Sequence, residues 1–245
     1  MPAYPLRALV LRKTKLGETD LILTLLASDG RQVRAVAKGA RNPKGRLGAR
    51  TQAFTVFDGL LHTGRSLDVL AEAEILASHD ALRSDYDRTV AGSVVLDVLD
   101  KVSVEGQGEP HVFDMALVTL DVMETCPVEA LDLIVTAFLL KALAMHGYRP
   151  ALDACAACGG VLDEYSSFSV EAGGVVCGAC GGGGARLSED ARLLMRALMR
   201  AKMADLTHVE APEDVRTEAL RVVRAYVGFH IPARLKALDS YVRAL

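Results

Sequence analysis

The apolar residues of this chain repeat at two different periods, and the change comes once, near Ser78. Ahead of it they alternate. From Arg31 to Lys38, Val33, Ala35 and Ala37 fall on one side, and Gln32, Arg34, Val36 and Lys38 on the other. Period two therefore puts Arg34 and Lys38 on one side of a sheet. Leu21–Leu26 is a continuous apolar run stopped by the turn residues Ser28-Asp29-Gly30. Residues 54–57 supply another strand. Residues 67–75 supply a further one, in which Leu67, Val69, Ala71, Ala73 and Ile75 alternate with Asp68, Glu72 and Glu74. With residues 6–13 the set reaches about five strands, a number that suits a small closed barrel.

Beyond Ser78 the apolar spacing becomes helical over residues 83–104, 110–124 and 128–147. Breakers separate these stretches at Gly106, Gly108, Pro110 and Pro127, and Gly147 and Pro150 close the last. A Gly- and Cys-rich insert follows. Helical patterning resumes at Ser188-Glu189-Asp190 and runs on through 213–229 and 234–244. The pattern predicts an α+β chain: a strand-rich domain at 1–79, a helical domain from 80–151 and 186–245, and a small inserted module at 152–185. Trp is absent and aromatics are 5%, so the cores must be built mainly from Ala, Val and Leu.

The insert holds Cys155-x2-Cys158 and Cys177-x2-Cys180. A two-residue gap lets both sulfurs of a pair reach one ion, and tetrahedral zinc takes four such ligands. Tyr165–Val170 and Val175–Val176, joined across Ala172-Gly173-Gly174, read as a β-hairpin that brings the pairs together as in a zinc ribbon. Four thiolates leave no open position for water or substrate, so the predicted role is one structural zinc ion. Four reduced or redox-active thiols are the competing reading. Cys126 has no nearby partner and reads as a buried small hydrophobe. No apolar stretch is long enough to span a bilayer, and the N-terminus lacks the pattern of a signal peptide. A reducing, cytoplasmic compartment is expected, where structural disulfides are rare.

The net charge of -3 argues against a nucleic-acid binder, but its distribution argues for one. Residues 1–50 hold eleven basic and three acidic groups, against 17 and 28 in the remainder. A segregated basic segment is an electrostatic footprint even on an acidic chain. Its densest part, Lys38 to Arg50, joins two strands, contains no acid and carries Lys38, Arg41, Lys44, Arg46 and Arg50 among glycines. Such a loop at the mouth of a small barrel can track a phosphate backbone and release counterions as it binds. A solvated surface loop is the plainer alternative. The first 80 residues offer only Tyr4, Phe54 and Phe57 for stacking, so binding is expected to lean on phosphates, with weak sequence preference and strong salt dependence.

No signature predicts catalysis. No Gly-Lys-Ser/Thr completes a P-loop, and there is no His-Glu-x-x-His or Gly-x-Ser-x-Gly. His146 and His230 fall at helix ends, where an imidazole caps carbonyls or favours the negative pole. Glu72 and Glu74 read as a solvated strand edge.

Several segments together resemble the RecO family of bacterial recombination mediators: Gly17-Glu18-Thr19-Asp20, Val36-Ala37-Lys38-Gly39-Ala40-Arg41, Gln52-Ala53-Phe54, Gly147-Tyr148-Arg149-Pro150 before Cys155-Ala156-Ala157-Cys158-Gly159, and Tyr226-Val227-Gly228-Phe229-His230. They occur in order over nearly the whole length. The resemblance implies an N-terminal OB-fold, a helical domain and a four-cysteine zinc module. It implies binding of single- and double-stranded DNA, annealing of complementary strands, partnership with RecR, and help in loading RecA onto DNA coated by single-stranded-DNA-binding protein. It places the protein in the cytoplasm at the nucleoid, with no catalytic residue and no membrane partner. Carried onto this chain, it makes Lys38 and Arg41 the first DNA contacts, with Lys44, Arg46 and Arg50 behind them; Arg34 is added by the strand-face argument alone. Ala237 follows Lys236 where the family often has Ser. Outside the resemblance, a zinc-ribbon RNA-binding protein, a redox-regulated zinc protein and a scaffold remain open. No Lys or Arg lies between Cys155 and Cys180, so the module itself is not expected to touch DNA.

Overall fold

A computed structural model describes residues 2–43, 45–181 and 183–243, with His208 described by its backbone alone. The chain forms two compact units, one of residues 1–92 and 96–124 and the other of residues 93–95 and 125–245.

In the first unit, β1 (Ala3–Leu16), β2 (Asp20–Ala27), β3 (Gln32–Ala37), β4 (Val56–His62) and β5 (Asp68–Ala77) close into a barrel in the order β1-β2-β3-β5-β4. Every pairing is antiparallel except β3 with β5, where Ala35, Val36 and Ala37 lie opposite Asp68, Val69 and Leu70. This is the closure of an OB-type barrel. Alternation sends Leu23, Leu25, Val33, Ala35 and Ala37 inward, where they meet Ala8, Val10, Phe57, Leu61, Leu70 and Ala73. So narrow a barrel takes small side chains, and the alanines of β3 supply them. Leu9 and Leu26, on the alternate positions, are buried as well.

Two expected strand boundaries shift. The first strand runs from Ala3 to Leu16, beyond 6–13 at both ends. The strand expected at 54–57 begins at Val56 and continues to His62, because Phe54 takes a φ of 67° and cannot continue an extended ladder. The helix expected over 83–104 is two helices, α1 (Asp80–Ser84) and α2 (Tyr86–Val102). Asp85 is extended between them, and its carboxylate accepts from the Arg88 amide at 2.9 Å as the N-cap of α2. The far end of α2 is tied to the barrel: Arg12 Nε lies 3.2 Å from the buried Asp100 carboxylate, and Gln32 Nε2 donates to the Asp100 carbonyl at 3.0 Å. α3 (Pro110–Thr125) begins at the Pro110 breaker.

The second unit is built on α4 (Leu131–Met145), whose residues are buried from Leu131 through Leu140. A helix apolar all round must be central, and α5 (Glu189–Arg200) and α6 (Glu213–His230) pack on it. Ser188 caps α5 where the sequence places a helix start, accepting from the Ala191 amide at 3.2 Å. α7 (Lys236–Arg243) completes seven α-helices among the described residues. None of them is long and apolar enough to cross a membrane.

One buried charge pair joins α6 to the start of α4. Arg216 Nε lies 3.3 Å from Asp132 Oδ2, and its guanidinium also donates to the Glu129 carbonyl. Asp132 accepts from the Leu133 amide at 2.7 Å, yet burial pushes its carboxyl above the usual range, against the opposing pull of Arg216. Removing one member of a buried pair leaves the other charge unscreened. Arg216→Ala is expected to cost about 3 kcal/mol of unfolding free energy at neutral pH, and less as the pH falls and Asp132 takes up a proton, read by urea denaturation across that range. A cost that does not change with pH would mean that the Asp132 charge is not what Arg216 serves.

Candidate metal centre and nucleic-acid interface

The four cysteines converge. Their sulfurs all lie within 4.8 Å of one another, and Cys158 Sγ stands 3.9 Å from Cys177 Sγ. An ion held by four sulfurs at ~2.3 Å on tetrahedral corners sets those sulfurs ~3.8 Å apart, so the spacing fits a tetrathiolate site. Each pair sits in a tight turn. The Gly159 amide donates to the Cys155 carbonyl at 2.8 Å, and the Cys180 and Gly181 amides to the Cys177 carbonyl at 3.0 and 2.8 Å. Cys155 and Cys177 are buried, while Cys158 and Cys180 are exposed.

The hairpin that joins the pairs is β6 (Ser167–Ser169) with β7 (Gly174–Val176), shorter than the sequence suggests. A third strand, β8 (Ala185–Arg186), pairs with β6; two residues at the end of a glycine run give no sequence signal. The module is stitched to the chain before it. Ala151 donates to Gly173 at 3.0 Å and accepts from Val175 at 2.9 Å. Gly174 must be glycine for this approach, since a Cβ there would stand 2.3 Å from the Ala151 carbonyl oxygen.

The thiol chemistry is uneven. Amide donors from Cys177, and then Cys158, pull Cys155 down to about 6. The Cys177 amide lies 3.3 Å from the Cys155 sulfur. Cys180 is pushed up to about 12 by its hydrogen bonds to Cys158, Cys177 and Cys155. Four sulfurs this close cannot all ionise by themselves, and a dication that binds thiolate removes that conflict. Cys126 is buried away from the cluster, as its isolation in sequence suggests.

The basic residues of the first unit do not form one patch. β3 stops at Ala37, so Lys38 lies in a turn rather than on the strand face with Arg34. The chain leaves the sheet there because Gly39 takes a φ of 64°. That turn is clasped to the β1–β2 connection. The Gly39 amide donates to Asp20 Oδ1 at 2.8 Å, the Arg41 amide to the Thr19 carbonyl at 2.8 Å, and Arg41 Nη1 to the Gly17 carbonyl at 2.9 Å. The Gly39 amide, then the Thr19 hydroxyl and the nearby Lys38, holds the Asp20 carboxyl below its usual value. Gly17-Glu18-Thr19-Asp20 and Lys38-Gly39-Ala40-Arg41 are therefore one structural element.

Arg34 lines an open polar groove of about 210 Å³ with Arg31 and Arg65, and Asp68 and Glu105 line it as well. Arg65 escaped the sequence reading: it stands alone in the β4–β5 connection, and only the parallel β3–β5 pairing brings that connection to Arg34. Arg31 is partly engaged by Asp29 at 2.9 Å, whereas Arg34 and Arg65 make no ion pair among the described residues. Arg46 and Arg50 line a different groove of about 670 Å³, which Asp58, Glu72 and Glu74 line as well. Leu47 between them is buried and plugs the barrel. A phosphate entering that groove meets carboxylates as well as guanidinium groups. Lys44 lies outside the described residues.

Two family models match the chain, one after the other. The family model described as Recombination protein O N terminal matches residues 1–79, and Recombination protein O C terminal matches residues 83–239. The chain is 39% identical to the DNA repair protein RecO of Thermobifida fusca (strain YX) over 100% of both chains. It is 38% identical to that of Frankia casuarinae, again over 100% of both. A third, from Desulfitobacterium hafniense (strain DSM 10664 / DCB-2), is 34% identical over 91% of this chain and 83% of the relative. With both halves matched in order and full-length relatives at this identity, the chain belongs to the RecO family.

Proposed function

We propose that this protein is a DNA-binding recombination mediator that makes and breaks no covalent bond. The observation that carries the reading is the ordered match of both family models to a chain whose basic charge is concentrated on its N-terminal barrel. The name shared by its relatives, DNA repair protein RecO, supports a role in recombinational repair. In this reading the barrel neutralises phosphates on single- and double-stranded DNA and brings complementary strands within pairing distance. Work with RecR, on DNA coated by single-stranded-DNA-binding protein, then assists RecA loading in the cytoplasm at the nucleoid. Lys38, Arg41 and Arg34 are the leading contacts, and Lys44, Arg46 and Arg50 stand behind them. Carboxylates outnumber Arg46 and Arg50 in their groove, whereas Arg31, Arg34 and Arg65 outnumber Asp68 and Glu105 in theirs, which favours Arg34 over that pair.

Counterion release makes the test quantitative, since log affinity falls with log salt by about 0.9 per phosphate neutralised on duplex DNA. Lys38→Glu together with Arg34→Glu is expected to lower affinity for both DNA forms and to flatten the salt slope by about 2. Arg41 is left in place because its guanidinium also holds the turn. Unchanged affinity and slope would remove these residues as the contact.

Cys155, Cys158, Cys177 and Cys180 would hold one zinc ion, which supplies a rigid, closed cross-link and no reactive position. The purified protein is expected to contain about one zinc per chain by elemental analysis. Cys155→Ser and Cys177→Ser should each abolish it and expose the β6–β7 amides to exchange. Metal-free protein with a fully protected hairpin would contradict a structural ion.

A further inference from the structure

A DNA-binding barrel of this kind has one conspicuous lack. Phosphate contacts do not distinguish a single strand from a duplex by its bases, and proteins that do so stack unpaired bases on aromatic rings. The barrel offers little of this: Phe54 and Phe57 are buried, and Tyr4 is half-buried, with its hydroxyl on Asp68 and the Arg31 guanidinium 6.0 Å from its ring centroid. Elsewhere, the large aromatics left exposed among the described residues are Tyr86, Tyr148, Tyr165 and Phe229. Of these, Tyr148 and Phe229 lie against another ring, and it is the same one.

That ring is His230, the last residue of α6. Tyr148 stacks on it with centroids 4.3 Å apart and planes 24° from parallel. Phe229 stands edge-on to it at 5.1 Å and 88°. Tyr226 closes the inner side at 4.4 Å and 84°, and Phe168 of the cysteine module backs Tyr226 at 5.3 Å. One face of the Tyr148 ring is covered by His230, yet the residue is still 43% exposed, and Phe229 is 51% exposed. The stack is also held at a cost. His230 Nε2 is buried without a hydrogen-bond partner among the described residues. A polar atom left unmet beneath an exposed aromatic stack brings the fold no stability in return. Burial holds the imidazole below its usual value, which favours the uncharged ring in the stack over a helix-end cation.

The charge beside the stack has the sign a nucleic acid requires. Arg149, next to Tyr148, is exposed and takes no hydrogen bond or ion pair among the described residues. The Gly147 turn, at a φ of 86°, and the bond from the Tyr148 amide to the Leu143 carbonyl at 2.8 Å set this pair at the end of α4. A rigid aromatic face with a free guanidinium beside it is the minimal receptor for one nucleotide of an unpaired strand.

We propose that Tyr148, His230 and Phe229 form a stacking site for an unpaired base of single-stranded DNA, with Arg149 taking the adjoining phosphate. The proposal rests on the reading of this chain as a DNA binder and adds a contact for single strands on a surface outside the barrel.

The full-length, zinc-loaded protein is titrated with oligothymidylate and with a duplex at the same salt. Tyr148→Ala and Phe229→Ala are expected to weaken single-strand binding about tenfold each and to leave duplex affinity unchanged. Tyr148→Trp, which keeps a stacking face, should retain single-strand affinity. Irradiation of oligothymidylate carrying 5-iodouracil is expected to cross-link peptides containing Tyr148 or Phe229. Unchanged single-strand affinity in both alanine variants, as a peptide-docking role for these rings would give, overturns the proposal. So does equal loss on both DNA forms, or cross-links confined to residues 2–79. Failure of the wild-type protein to bind either DNA form would instead defeat the functional reading, and the proposal with it.

Discussion

Closure of the N-terminal barrel depends on three parallel rungs between β3 and β5, at Ala35, Val36 and Ala37. Parallel strands cannot be joined by a tight turn, so the chain must make β4 first and return. That detour creates the two connections that carry the exposed charge, one from Lys38 to Thr55 and the other from Thr63 to Leu67. It also sets the size of the interior. Strands this closely wrapped leave room for Ala35, Ala37 and Ala73 where a larger barrel would take leucine. A bulky substitution at any of the three would open the rungs and separate Arg34 from Arg65.

The two clusters of interest are held by the same device, a backbone turn pinned by a neighbouring segment. In the barrel, Asp20 and Thr19 hold the Gly39–Arg41 turn, so its cations are presented on a fixed support. In the cysteine module, Ala151 holds β7, and the amides of Cys177, Cys158 and Ala157 point at the Cys155 sulfur. Both arrangements remove conformational entropy before a ligand arrives, which is how a small interface gains affinity without area. The acids serve a complementary purpose. Asp58, Glu72 and Glu74 share a groove with Arg46 and Arg50 and weaken any phosphate site there, and Asp68 and Glu105 do so to a lesser degree beside Arg31, Arg34 and Arg65.

Much of this is legible in the sequence, and the losses have physical causes. Period-two alternation places Arg34 outward because a strand admits only two faces. The Cys-x2-Cys spacing places four sulfurs together because a knuckle has one geometry. The helix start at Ser188 is visible because capping is local. What alternation misses is curvature. Lys38 looks like a strand residue until Gly39 turns the chain, and Phe54 looks like one until its left-handed φ is known. Arg65 and the Tyr148–His230 stack are invisible for another reason: each joins residues far apart in the chain, so no window of sequence contains both partners. The break at Asp85 was available in principle, since Asp is a strong N-cap, but an unbroken apolar pattern on both sides masks it.

The proposed function requires that the protein promote strand pairing by binding and position, with no covalent step. It is tested most directly by the annealing rate of complementary oligonucleotides precoated with single-stranded-DNA-binding protein, measured without nucleotide, with and without the zinc-loaded chain. Faster annealing at stoichiometric protein is the result the account requires. No acceleration by a folded, zinc-loaded preparation would contradict it.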